Sequence, residues 1–132
     1  MNRTWILAVA LVVVGAGPPQ SFKRTPEAQA KLDKYLAGRV PGEPQRCLKG
    51  YKTNDPIGID DGTMLFRDGP RTWRNDLAQA YRCDEFGLNK MLVTENKNIQ
   101  LCAGDTTYIV DTKSGDGVGT CILGPFVPYT KP

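Results

Sequence analysis

No histidine occurs anywhere in the 132 residues. That absence excludes Ser-His-Asp and Cys-His catalysis, most catalytic transition-metal sites, and the usual proton shuttle near neutral pH. Closely spaced cysteines are lacking too, for the four stand at Cys47, Cys83, Cys102 and Cys121, separated by 36, 19 and 19 residues. A structural zinc site ordinarily includes a pair separated by roughly two to four residues, so these thiols are not spaced for a metal. Basic residues form no stripe with aromatics interleaved, which argues against a nucleic-acid surface. The glycine-rich residues 115–119 (GDGVG) lack both a following helix pattern and the lysine of a phosphate-binding loop. They therefore read as a flexible hairpin tip. No catalytic residue, cofactor or metal ligand is expected.

Long apolar runs are also scarce. The longest, residues 5–14 (WILAVALVVV), follows Arg3 and precedes Gly15, Ala16 and Gly17. Its ten residues fall short of the roughly 17–25 needed for a comfortable membrane span, and the layout is that of a secretory signal peptide. Cleavage after Ala16 is expected, since Val14 and Ala16 would then occupy the two small-residue positions; an uncleaved anchor is the alternative. Residues 1–16 are thus read as a leader, with no membrane span after its removal. The remaining 116 residues are a single-domain length. Residues 17–46 carry six basic and three acidic groups, and residues 47–132 carry ten and eleven. The basic character therefore belongs to the N-terminal arm and not to the body.

What is present points to an oxidising compartment. An even number of cysteines in an exported chain reads as two disulfides. Three pairings are open, and a simple up-and-down meander favours Cys47 with Cys102 and Cys83 with Cys121. Thr25-Pro26-Glu27 supplies an N-cap, a first-turn proline and an acid facing the helix dipole. Ala28, Leu32, Tyr35 and Leu36 then recur on one face, and Gly38 stops the helix. It reads as a lid on the domain in preference to a partner-binding helix. Residues 38–46, rich in proline and glycine, form a turning connection, so residues 17–46 are a linker, amphipathic helix and connection. Residues 47–132 are read as the β-rich domain. Short runs at 63–67, 72–77, 90–95 and 106–111 are divided by turn signals such as Asp60-Asp61-Gly62, Asp68-Gly69-Pro70 and residues 96–98. That texture predicts a mainly β fold, a small antiparallel barrel or sandwich with one short N-terminal helix, stapled by disulfides.

Few side chains offer chemistry. The adjacent acids Asp60-Asp61 and Asp84-Glu85 cannot easily converge on one substrate, because strand neighbours point to opposite faces. They read as turn residues. Cys102 lies three residues before Asp105, whose carboxylate would raise a neighbouring thiol's pKa. The pair therefore reads as a bonded sulfur and a turn-setting side chain, not as a nucleophile and its helper. Arg71, Trp73, Arg74 and Tyr108 are the candidates for a surface on which a sugar or peptide could stack, although most large aromatics in so short a chain belong in its core.

Four stretches, GRVPGEPQRCL, IDDGTMLFR, MLVTENKNIQLCAGD and CILGPFVPYTKP, resemble an uncharacterised family of small exported proteins from sphingomonad-like alphaproteobacteria, a domain of unknown function. The resemblance covers about residues 38–132. It implies an envelope location and a compact β-rich domain, and it brings no activity or substrate. The expectation is a periplasmic or secreted, non-catalytic binding or structural module. Its partner would be an unknown envelope protein, glycan or peptide. The alternative is a small inhibitor or modulator of an envelope enzyme, with a loop such as residues 114–119 plugging the enzyme's cleft.

Overall fold

The computed structural model describes residues 23–49, 56–95 and 99–132. The expected leader with its cleavage point, the linker as far as residue 22 and the turn at 96–98 lie outside the described residues. The fold is mainly β, with antiparallel sheets, one short N-terminal helix and two disulfides. Among the described residues no helix is long and apolar enough to cross a membrane.

Helix α1 runs over Pro26–Leu36 and begins as its sequence dictates. Thr25 stays extended and its hydroxyl accepts the Ala28 N–H at 3.2 Å, with Pro26 and Glu27 in the first turn. Gly38, at φ 69°, leads the chain away in a left-handed conformation that a side chain would strain. Ala28 and Leu32, one turn apart, are buried against Ile57, Ile59 and Leu65, with Tyr35 and Leu36 at the margin. The helix is a lid on a sheet.

That sheet has five strands in the order β1 (Val40–Pro41), β11 (Phe126–Thr130), β5 (Arg71–Asp76), β4 (Thr63–Asp68) and β3 (Pro56–Asp60). Both of its faces are covered over β4. Met64 and Phe66 enter the main core, and Leu65 packs beneath α1, which explains an almost unbroken buried run where simple alternation would leave polar gaps. A second sheet has the order β6 (Gln79–Tyr81), β10 (Gly117–Ile122), β9 (Thr106–Asp111) and β7 (Lys90–Thr94). A two-stranded piece pairs β2 (Cys47–Lys49) with β8 (Gln100–Cys102). The main core gathers residues from all three: Met64, Phe66, Trp73 and Phe126 from the first sheet, Ile109 and Cys121 from the second, and Leu48 and Leu101 from the small ladder. The Phe66 and Phe126 rings meet at 5.7 Å, tilted by 58°.

One ribbon joins the two large sheets. Phe126 lies opposite Asn75 in the first, and Ile122 lies opposite Gln79 in the second. Each step is four residues, back along one strand and forward along the other, so a single register passes through the bend. Asn75, fully buried, holds the bend with both ends of its amide. It donates to the Gly124 carbonyl and accepts the Gly124 N–H, each at 2.8 Å. Ala78 donates to Ile122 at 2.9 Å, and Leu123 donates to Asp105 at 3.0 Å, so backbone groups at the bend find partners despite leaving both ladders. A Cβ on Gly124 would lie 2.1 Å from the Asp76 carbonyl oxygen.

The proline- and glycine-rich connection is part of the first sheet. Val40 and Pro41 pair with Thr130 and Tyr129, Gly42 donates to Pro128, and Gln45 exchanges two bonds with Phe126 at 2.7 and 2.8 Å. Prolines fit there because this segment is the sheet's edge.

The bridges are Cys47–Cys102 and Cys83–Cys121. Their physical reason differs from a meander. Cys47 and Cys102 face each other directly across the β2–β8 ladder, and β8 is an excursion between β7 and β9 that an up-and-down chain would not make. Cys83 sits in a single 3-10 turn (Cys83–Glu85) beyond β6, the strand that flanks β10 and its Cys121.

Candidate functional site

Of the four residues expected to form a ligand surface, Arg71 and Trp73 adjoin, whereas Arg74 and Tyr108 stand apart from them. Trp73 is 1% exposed in the core, its indole N–H 3.4 Å from the Asp68 carboxylate, and the Arg71 guanidinium lies 5.9 Å from its ring at the rim. Arg74 alternates to the opposite face of β5, where it donates to Asp76 at 3.0 Å. Burial works to lower its pKa, but the bond and attraction to Asp76, with a contribution from Tyr129, overcome this and raise it. Tyr108 belongs to β9 in the other sheet. Arg74 is separated by strand alternation, and Tyr108 because the ribbon sends the later strands to the other sheet.

Asp60 and Asp61 are engaged in holding turns. Asp60 takes Arg24 at 2.7 Å and the Gly62 N–H at 2.8 Å, while Asp61 accepts the Asp84 N–H at 3.0 Å. The Thr63 hydroxyl accepts from Arg24 and donates to Asp76 at 2.7 Å. A polar chain therefore runs Asp60–Arg24–Thr63–Asp76–Arg74 and ties the start of α1 to the β3–β4 hairpin. The sequence marks Arg24 only as one charge of a basic arm, and nothing local announces its partner 36 residues away.

The glycine-rich hairpin tip is corrected in part. Gly117 and Gly119 lie within β10, and Gly119 is buried where a Cβ would meet the Arg82 carbonyl at 2.5 Å. The tip proper, residues 112–116, is tied down by Asp111. That carboxylate accepts Lys90 at 3.0 Å and the N–H groups of Lys113 and Ser114 at 2.8 and 3.2 Å. Chiefly through the Lys90 bond, then through the two backbone bonds, its pKa falls to about 2.

Asp105 sets the turn before β9. Its carboxylate accepts the Cys102 N–H at 2.9 Å and its own N–H returns to the Cys102 carbonyl at 3.0 Å, with Gly104 at φ 90° between them. Cys102 is bonded sulfur.

What remains is the outer face of the second sheet. Leu92, Ile109 and Thr107 turn inward, so Met91 and Val93 on β7, Tyr108 and Val110 on β9, Thr120 and Ile122 on β10, and Tyr81 on β6 turn outward. One row crosses all four strands, Tyr81–Thr120–Tyr108–Val93. Tyr81 is 68% exposed, Met91 49% and Val93 37%. None of these side chains is charged at neutral pH. At the rim, Glu95 accepts the Tyr108 hydroxyl at 3.1 Å, which fixes the ring and raises the pKa of that hydroxyl. A shallow depression of about 120 Å³ lies between Gln79, Tyr81, Thr120 and Ile122. No family model, curated protein or solved structure matches this chain. The face is largely apolar, with two tyrosines and one methionine, side chains that are enriched where proteins meet, and it carries the Glu95 carboxylate at its rim. The sequence hides it because both parities of residues 91–93 (MLV) are apolar, leaving alternation with no inside or outside to choose.

Proposed function

We propose that the protein is an exported, non-catalytic binding or structural module of the bacterial cell envelope, and that the outer face of the four-stranded sheet is its contact surface. The observation that carries this reading is the largely apolar face formed by Tyr81, Tyr108, Met91 and Val93. Contiguous apolar surface on a small exported domain is unfavourable in water and marks an interaction site. Two disulfides fit an oxidising compartment, and the leader pattern with the family resemblance favours the periplasm or the exterior. The engagement of Asp60, Asp61, Asp105 and Asp111 in turns supports a non-catalytic role.

An affinity experiment tests this. Immobilised protein, wild type or Val93→Lys, is exposed to envelope extract and to glycan and peptide arrays. Retention of one defined partner by the wild type and its loss in the variant, at equal melting temperature, is expected. A hydrolytic activity on an envelope polymer that Val93→Lys leaves untouched would refute the reading.

A further inference from the structure

We propose that the cleft between α1, β3 and residues 86–88 binds a short acyl carboxylate, its chain on the apolar walls and its head group on Lys31. This site is separate from the outer face of the four-stranded sheet. Strand β3 supplies Pro56 and Ile57, the segment after the 3-10 turn supplies Phe86 and Leu88, and α1 supplies Lys31; together they line a cleft of about 290 Å³. That volume is at the lower end for a ligand pocket and suits a chain of several carbons. Its bottom is closed where β3 meets Phe86, so tightly that a Cβ on Gly58 would lie 3.1 Å from the Phe86 Cβ.

Two features point to the ligand. Leu88 is 89% exposed, and the turn that holds it there is built: Lys90 donates to the Gly87 carbonyl at 3.1 Å, Asn89 adopts φ 60°, and the Asn89 carbonyl accepts both the N–H and the hydroxyl of Thr112 at 2.8 and 3.0 Å. A leucine fixed in water beside half-buried Phe86 is an apolar wall that a chain can cover. The second feature is the charge. Lys31 donates to the Gly58 carbonyl at 2.7 Å, which sets its ammonium at the cleft and leaves it two further N–H groups. Among the described residues no carboxylate pairs with Lys31, and no acid lines the cleft. One uncompensated cation on an apolar cleft is complementary to an anionic head on an apolar chain.

Amide NMR on the isotopically labelled full chain with both bridges intact is the test, with hexanoate, octanoate and octylamine as probes and the wild type, Lys31→Met and Leu88→Ser as proteins. Saturable octanoate shifts are expected at Lys31, Ile57, Gly58 and Leu88. Octanoate should bind roughly tenfold more tightly than hexanoate, from its two extra methylenes, and at least ~tenfold more tightly than octylamine, whose charge is reversed. Lys31→Met should abolish the preference for acid over amine, and Leu88→Ser should weaken all three probes. Both substitutions fall on exposed side chains, and unchanged melting temperatures check that the fold persists. The proposal is overturned if octanoate gives no saturable shift, if octylamine binds as tightly, if Lys31→Met keeps the preference, or if the shifts centre on Tyr81 and Val93 instead. A peptide with a free C-terminus that shifts the cleft amides when octanoate does not would assign the cleft to a partner protein and also overturn it.

Discussion

At the scale of single residues, two glycines make opposite demands. Gly104 is required for its backbone angle, at φ 90°, and has open space around it, whereas Gly124 has no room beside the Asp76 carbonyl at 2.1 Å. Gly104→Ala should cost about 1 kcal/mol, from backbone strain alone. Gly124→Ala should cost upwards of ~3 kcal/mol, because the neighbouring backbone of the bend must move. Urea unfolding of both variants separates strain from collision, and equal costs would contradict it. Asp105 offers a third case. Asparagine can still accept the Cys102 N–H, so Asp105→Ala should lose about 1–2 kcal/mol and Asp105→Asn less. The turn role of Asp105 was legible because Gly-Asp before a strand is local chemistry. The close approach at Gly124 was not, since it depends on a strand about fifty residues earlier in the chain.

At the scale of elements, α1 is an 11-residue helix, too short to persist unsupported in water. Its stability derives from Ala28 and Leu32 beneath it and from Arg24 at its start. Leu32→Ala should cost about 2–4 kcal/mol, and helical circular dichroism should fade before the sheet's near-ultraviolet signal as temperature rises; simultaneous loss would mean the lid is inseparable from the body. The β9–β10 hairpin answers to pH instead. Asp111 titrates near 2 in the folded protein, below the ordinary carboxylate value of 3.8. Its contribution is complete above about pH 4 and disappears as pH falls through about 2. The difference in melting temperature between wild type and Asp111→Asn should therefore shrink over that interval, and a difference that persists at pH 2 would exclude the assignment. Helix α1 was readable in the sequence down to its cap, because cap, first-turn proline and apolar spacing are all local. Strands β6, β8 and β10 were not, being short, glycine-containing or defined by partners far along the chain.

At the scale of the whole molecule, the bridges differ in access. Cys83 and Cys121 are fully buried, whereas Cys47 and Cys102 are half-buried on a ladder of three residue pairs. Mild reduction followed by alkylation and peptide mapping should label Cys47 and Cys102 first, and removal of either bridge should cost ~2–5 kcal/mol. Label appearing first on Cys83 would contradict this order. The fold class and the two-disulfide framework followed from composition and turn signals. The separation of Arg74 and Tyr108 from Arg71 and Trp73 did not, because a linear pattern shows period two but not which side of a strand will be enclosed.

The bent ribbon makes the two sheets a single cooperative unit. Sliding β11 by one residue along β5 would slide β10 along β6 as well, moving Phe126 out of the core and pulling Cys121 from its bridge at once. A slip tolerated in one sheet is thus vetoed by the other. Native-state hydrogen exchange should show slow amides of Trp73, Ile109 and Cys121 opening at one common free energy, with no intermediate in which either sheet stands alone.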